Sequence, residues 1–422
     1  MSWIKTSVGA FCPFVYGKAI KKQEQLKRGF PVYGSNGVYT YSASELVGPN
    51  AVIIGRKGTV GKVHLSNSPC WVSDTAFYVK YDYPDDAYFT YYLLSTLGLE
   101  NMNTDAAVPG LNRENAHRLE IQVPGEAEER RKIVSPLIAI DKKIKNNKQI
   151  NQTLEQMAQA LFKSWFVDFE PVKAKITALE AGGSQEDATL AAMTAISGKD
   201  ANALTVFERE HSEQYAELKA TADLFPSAMQ ESELGDIPEG WNSQRFSNIA
   251  TLHYGKALKK TERIEGPYSV YGSGGITGSH NSYLVEGPSI IVGRKGSIGT
   301  LYWEDGKFHP IDTVYYVSNK DGVPLSYLYY LMKTLNLSSM NTDAAVPGLN
   351  RDNVYRLEVL KPIQSILNKF NNHILAIRNM IQKNNFSIAT LTTLRDTLLP
   401  KLLSGEIPLP EAEQAVSEAE NV

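Results

Sequence analysis

Apolar positions along the chain follow two alternating patterns. Residues 1–124 carry short β-branched and aromatic runs, Ala51-Val-Ile-Ile54, Ala76-Phe-Tyr-Val79 and Leu119-Glu-Ile-Gln-Val123, separated by Gly-, Asn- and Pro-rich turns. This spacing predicts a compact mixed domain of short strands, with one helix where Tyr88 to Leu97 takes up helical periodicity. From residue 125 the period changes. Ile133, Leu137, Ile140, Ile144, Leu154, Ala158, Leu161 and Trp165 fall at three- and four-residue steps or sums of them, predicting a long amphipathic helix over 125–168. Pro136 marks either a kink or the helix's true start.

The pattern then returns. Residues 239–362 read as the first domain again. Residues 363–404 read as a second long helix, with Leu367, Phe370, Ile374, Ile377, Ile381, Ile388, Leu391, Leu398 and Leu402 on a heptad grid. Asn384 and Arg395 are polar positions on that grid. The repeat is literal in places. Met102-Asn-Thr-Asp-Ala-Ala-Val-Pro-Gly-Leu-Asn-Arg113 recurs at Met340–Arg351, an offset of 238 residues. The same offset relates Tyr16-Gly-Lys-Ala19 to Tyr254-Gly-Lys-Ala257, Gly55-Arg-Lys-Gly58 to Gly293-Arg-Lys-Gly296, and Lys145-Asn-Asn147 to Lys383-Asn-Asn385. A constant offset over such a distance is a tandem duplication.

Residues 169–238 have no counterpart and predict an acidic, partly helical connector, with helices near Glu186–Ile196 and Leu204–Ala222. The tail, residues 405–422, is acidic and expected to fray. The expected fold is therefore α+β: two tandem mixed α/β domains and two long helices, the helices forming an antiparallel coiled coil with approximate internal twofold symmetry. Each helix of about 40 residues is a rod of roughly 60 Å, and a connector of about 70 residues is long enough to return the chain along it. Pairing of each helix with another protein remains the alternative. Asn147 and Asn384, polar residues in an apolar seam, are the expected determinants of register.

Charge changes the picture only when divided. The net charge is −3, but residues 1–124 and 239–362 each carry +2, while residues 170–238 carry −8. The acidity lies in the unrepeated segment, so polyanion binding by the domains is permitted. The only cysteines are Cys12 and Cys70, both in the first copy, which argues against a disulfide framework and for a reducing, cytoplasmic setting. Neither a membrane span nor a secretory leader is legible.

The glycine-rich turns do not match nucleotide-binding fingerprints. Gly55 and Gly61 are separated by five residues where a Walker A loop needs four, and Val63 stands in place of Ser/Thr. Two readings remain open: tight turns between strands, or rigid turns that present Arg56, Lys57 and Thr59, and in the second copy Arg294, Lys295 and Ser297, to phosphates or a guanine edge. Lys62 joins the first set, although its counterpart is Thr300. Lys18, Lys21 and Lys22 beside Tyr16, and Lys256, Lys259 and Lys260 beside Tyr254, form basic patches next to an aromatic. Ser35 and Asn36, matched by Ser273 and Gly274, occupy short polar turns whose second residue differs between copies, as a partner-reading loop would. The twelve-residue repeat reads as framework in preference to a ligand role for Asn112 and Arg113. No metal-ligand spacing or catalytic constellation recurs in either copy.

The order domain, helix, connector, domain, helix resembles the specificity (S) subunit of type I restriction-modification systems. The residues carrying the resemblance are Leu234-Gly-Asp-Ile-Pro-Glu-Gly-Trp241, the Arg-Lys-Gly-(Thr/Ser)-(Val/Ile)-Gly turns and Val108-Pro-Gly-Leu-Asn112 with its twin. Two helix-end motifs add to it: Trp165-Phe-Val-Asp-Phe-Glu-Pro-Val172, and the run from Leu394-Arg-Asp-Thr-Leu-Leu to Ser404-Gly-Glu-Ile407. The first copy lacks the Gly-Asp-Ile-Pro entrance and keeps only Trp3.

The resemblance implies a non-catalytic DNA-recognition subunit. Each domain would read one half of a bipartite double-stranded target, and the coiled coil would set the spacer. Two modification (methyltransferase) subunits and the restriction subunits would be its partners. It also implies no cofactor in this chain, with S-adenosylmethionine in the methyltransferase and ATP and Mg in the restriction subunit. Because the copies are alike, related half-sites are expected. Their differences should track Tyr39–Ala43 against Thr277–Asn281, and Lys62–Ser73 against Thr300–Ile311. The rival readings are a stand-alone DNA-modifying enzyme and a coiled-coil protein scaffold.

Overall fold

The structure is a computed structural model that describes residues 2–80, 86–102, 110–341 and 348–420. The chain divides into two compact units, Met1–Ile150 with Gln382–Val422, and Asn151–Ile381. Each combines one domain with part of both long helices.

In the first unit, β-branched and aromatic runs form a four-stranded antiparallel sheet in the order Phe14–Tyr16, Ala76–Val79, Ala51–Gly55, Val63–Ser66. A three-stranded sheet joins Gly37–Ser42, Phe30–Gly34 and Trp71–Val72, the last pair parallel. Trp3–Ser7 pairs with Glu120–Pro124, so the start of the domain is fastened to the strand that leads into the first long helix. The helix read near Tyr88–Leu97 spans Ala87–Thr96 and buries Phe89, Tyr92, Leu93 and Leu94.

That long helix runs Ala127–Phe166 and contains Pro136. Pro136 is therefore not its start. Within this unit it runs antiparallel to the distal helix, Gln364–Ser404: Asp141 meets Arg395, and Asn147 meets Ser387. Seam residues Ile133, Leu137, Ile140, Leu391, Leu398 and Leu402 are buried together in the unit's core. Asp86 and Arg130, buried partners 2.8 Å apart, tie the domain to the helix, and Arg130 also donates to the carbonyls of Pro124 and Gly125.

The second unit repeats the sheet pairing with register kept. Ile53↔Tyr78 in the first copy is Ile291↔Tyr316 in the second, both shifted by 238. Its core gathers Trp165, Phe162, Phe166 and Phe370 from the helices with Trp241, Tyr327 and Tyr330 from the domain. The Gly-Asp-Ile-Pro entrance forms a hairpin, Met229–Ser232 with Gly235–Pro238, that leads to the fully buried Trp241.

Two expectations change. The connector is more helical than read, with helices at Glu170–Glu180, Gln185–Ser197, Ala201–Glu210 and Ser212–Asp223. The single helix expected over Leu204–Ala222 breaks at His211, whose φ of −141° leaves the helical region. The acidic tail is also ordered. Leu409–Glu420 is a helix that buries Ala412 and Val416, because its few apolar residues share one face. Before each of these following helices, the long helix ends in the same way: the amides of Asp168 and Glu406 donate back to the carbonyls of Lys163 and Lys401, again 238 apart.

Candidate nucleic-acid interface

The Arg-Lys-Gly turn of the first domain closes between the Ala51–Gly55 and Val63–Ser66 strands. Gly58 and Gly61 have φ of +83° and +72°, and a Cβ on Gly61 would lie 2.2 Å from the Leu99 carbonyl carbon, so the turn needs glycine there. The amides of Arg56 and Lys57 donate to the Thr75 carbonyl, and Arg56 Nη1 donates to the Asp74 carbonyl at 3.1 Å. The repeated Asp74-Thr75 pair thus supplies backbone acceptors that hold the turn.

The end of the twelve-residue repeat is stitched to the same turn. Lys57 bridges Gly110, and the Leu111 amide donates to the Arg56 carbonyl at 2.8 Å. The second domain reproduces this with Lys295, Gly348, Leu349 and Arg294. Asn112 and Asn350 then cap short helices starting at Arg113 and Arg351. For the described residues from Gly110 to Arg113 and from Gly348 to Arg351, the segment is tied to the turn through its backbone and caps a helix. The Thr104-Asp105 cap, and Val108 and Pro109 of the Val108–Leu111 turn, lie outside the described residues.

The side chains do something the linear sequence does not display. Arg56 and Arg113 both stack on Tyr16, at 4.9 and 5.0 Å from the ring centroid. Arg294 and Arg351 stack on Tyr254 at 4.9 and 5.1 Å. In the first domain these groups line a polar cleft of about 240 Å³ with Lys57 and Glu114, the latter paired with Arg113 at 2.9 Å. Three cations and one exposed tyrosine share the cleft with a single carboxylate. Such a cleft suits an anion that also offers a flat or sugar surface, as nucleic acid does.

Beside the cleft stands a hairpin tip. Ser35 and Asn36 join the strands Phe30–Gly34 and Gly37–Ser42. A Cβ on Gly55 would lie 2.9 Å from the Ser35 carbonyl, so tip and turn form one packed piece. His64 Nε2 donates to the Ser35 carbonyl at 3.2 Å, and Lys62 Nζ donates to Asn36 Oδ1 at 2.9 Å. In the second domain Thr300 and Tyr302 hydroxyls donate to the Ser273 carbonyl at 2.6 and 3.3 Å, and Gly274 follows. Thr59 and Ser297 are exposed on their turns.

The remaining candidates lie further along. Lys18 is exposed, with its carbonyl accepting from Trp71 Nε1. Lys256 is exposed with its amide on the Pro310 carbonyl. Lys21 and Lys22, and Lys259 and Lys260, sit on short turns of their own closed by Glu24 and Glu262. On the helices, Asn147 is buried and donates to Ser387 Oγ at 3.1 Å, while Asn384 is half-buried.

Of the cleft residues, sequence reasoning named Tyr16 and Tyr254 only as the aromatics beside basic patches, and it set Arg113, with its twin Arg351, aside as framework. The available signal was their identity at the 238 offset, which spans all three stretches that meet in the cleft. Burial raises the thiols of Cys12 and Cys70, to about 12 and about 11, so both stay protonated near neutrality. Among the described residues no group of three or more His, Cys, Asp or Glu could hold a metal, and no helix is long and apolar enough to cross a membrane.

The model of the type I restriction modification DNA specificity domain matches residues 2–156 and 238–363, together well over half of the chain. The chain belongs to that family. It is 32% identical over 329 residues to the type I restriction enzyme HindI specificity subunit of Haemophilus influenzae, a match covering 71% of each chain. The MjaIX specificity subunit of Methanocaldococcus jannaschii is 23% identical over 361 residues, covering 76% of this chain and 69% of that one. In three dimensions the chain is similar to the crystal structure of a type I restriction-modification S subunit from M. genitalium, with TM-score 0.55 at 16% identity over 95% of this chain and 96% of that one. The fold class read from the sequence is that of this family. The chain is a specificity subunit, and neither the stand-alone enzyme nor the protein scaffold gains support.

Proposed function

We propose that the two domains each read one half of a bipartite DNA duplex on behalf of a restriction-modification complex. The observation that carries this is the pair of Tyr–Arg–Arg clusters, Tyr16 with Arg56 and Arg113 and Tyr254 with Arg294 and Arg351, built alike in both domains. Arg56, Lys57 and Arg113, with their counterparts, anchor phosphates. Ser35, Asn36, Thr59 and Lys62, and in the other domain Ser273, Gly274 and Ser297, face base edges. Lys18, Lys21, Lys22, Lys256, Lys259 and Lys260 add a diffuse attraction along the backbone.

The long helices set the spacing between half-sites. Two modification subunits dock with the chain and bring S-adenosylmethionine, and restriction subunits bring ATP and Mg. The complex works in the cytoplasm, where its DNA is.

Salt titration of duplex binding by the chain with its modification subunits tests the reading. The complex should retain a bipartite duplex selectively and lose affinity steeply with salt. Arg56→Ala with Arg294→Ala should lower the salt slope by about 1 for each phosphate that is no longer neutralised. Equal retention of all duplexes would refute sequence reading. An unchanged slope in the double variant would remove the clusters from the interface.

A further inference from the structure

The two hairpin tips share position, backbone and supporting carbonyl contact, yet present different chemistry. In the first domain Asn36 and Lys62 are both exposed and joined through Lys62 Nζ to Asn36 Oδ1 at 2.9 Å. An asparagine amide ordinarily offers one acceptor and two donors, the set that matches adenine N7 and N6. Here the ammonium takes one of the two lone pairs of that acceptor and sets a positive charge beside it. The exposed pair is therefore rich in donors, the amide NH₂ and the remaining ammonium hydrogens, and its charge disfavours a further donor such as adenine N6. A donor-rich, cationic edge matches guanine, whose major-groove edge is two acceptors, O6 and N7.

The second tip is bare. Gly274 replaces Asn36, and a Cβ there would meet nothing within 4 Å, so the space that Asn36 fills is open. Thr300 replaces Lys62 and turns its hydroxyl inward, onto the carbonyls of Ser273 and Ser297. A two-stranded ribbon of this kind fits the B-DNA major groove. The packed Arg-Lys-Gly turn would fix the depth at which the tip enters.

Resting on the DNA-reading role given above, we propose that Asn36 and Lys62 act as one donor pair that specifies a guanine at one position of the first half-site. The matching position of the second half-site is left unread. The two half-sites are therefore related but unequal, the first holding one more fixed base pair.

The test uses the chain with its modification subunits on duplexes randomised in both half-sites, scored by the bases recovered around methylated positions and by competition binding. The wild-type complex should favour guanine at one position of the first half-site by roughly 5- to 150-fold, the range of a good bidentate contact. Lys62→Met frees Asn36 Oδ1 and should move that preference toward adenine. Asn36→Gly should abolish it. Gly274→Asn with Thr300→Lys should install a guanine preference in the second half-site. If the wild type is bipartite and Lys62→Met leaves base frequencies unchanged, or weakens all sequences equally, the donor-pair assignment is wrong and the recognition role stands. A wild-type complex with no base preference in either half-site would overturn both.

Discussion

The two domains are alike where the turn and cleft are built and differ in chemistry at their hairpin tips. The Arg-Lys-Gly turn, its Asp-Thr acceptor and the Tyr–Arg–Arg cluster repeat, with the stacking distances nearly unchanged. At the neighbouring tip the chemistry parts: His64 becomes Tyr302, Lys62 becomes Thr300, Asn36 becomes Gly274. Yet the Ser35 and Ser273 carbonyls are held in both cases, by imidazole in one and by hydroxyls in the other. Duplication kept the parts that set position and let drift the parts that could discriminate. A protein that binds one kind of polymer twice, at two sequences, needs that division.

Attachment to the helices differs too, and variants can separate the two solutions. The largest effects are expected from buried groups. Trp241 is fully buried and packs on Phe166 and Phe169. Trp241→Ala should cost the second unit about 3–5 kcal/mol, whereas its half-buried counterpart Trp3, beside an apolar cavity of about 420 Å³, should cost nearer 1–2 kcal/mol. Equal losses in denaturant unfolding would contradict the difference. Asp86→Ala strands the buried Arg130 and should destabilise the first unit by about 3–5 kcal/mol. The second unit has Pro324 and Asn368 at those positions and no such pair to break.

The helix seam gives a smaller effect. Arg395 pairs with Asp141 at 2.9 Å, and Tyr92 donates to the same carboxylate at 2.6 Å. The repeat places Met157 and Asn379 at the equivalent positions. Because the pair is partly exposed, a double-mutant cycle on Asp141 and Arg395 should return about 1 kcal/mol or less. A coupling near zero would make the pair a register device only.

The smallest effect is in pH. Burial lowers the His64 pKa from its ordinary 6.5, the Ser35 carbonyl opposes the shift, and the Lys62 charge adds to it. A pKa lower in the folded than in the unfolded state contributes stability that is present above the unfolded value and lost as pH falls through the folded one. The first tip should therefore loosen as pH drops below about 6.5, and His64→Tyr, the residue of the other copy, should remove that part of the acid sensitivity. The readout is first half-site preference against pH. An unchanged profile in His64→Tyr would assign the sensitivity elsewhere.

Much of this architecture is legible in the sequence because period and offset are cooperative signals. The seam from Ile133 to Trp165 is a single stripe, and the offset of 238 carries through both domains and both helices. The tail helix is harder to see. Its apolar face is only Leu409, Ala412, Val416 and Ala419 within an acidic stretch, and it is ordered by packing rather than by propensity. The cleft is harder still. Tyr16, Arg56 and Arg113 lie in three stretches: sheet pairing through Ala76–Val79 brings Tyr16 to the turn, and backbone pairing of the turn to Gly110 and Leu111 brings in Arg113, contacts that no local pattern encodes.

The central claim is that each domain reads its own half of the target. It is tested most directly by exchanging Lys62–Ser73 with Thr300–Ile311 and mapping methylated bases in DNA exposed to the resulting chain and its modification subunits. The account predicts a bipartite target with related halves, and base preferences that move with the exchanged block. Half-site preferences that stay where they were would contradict it.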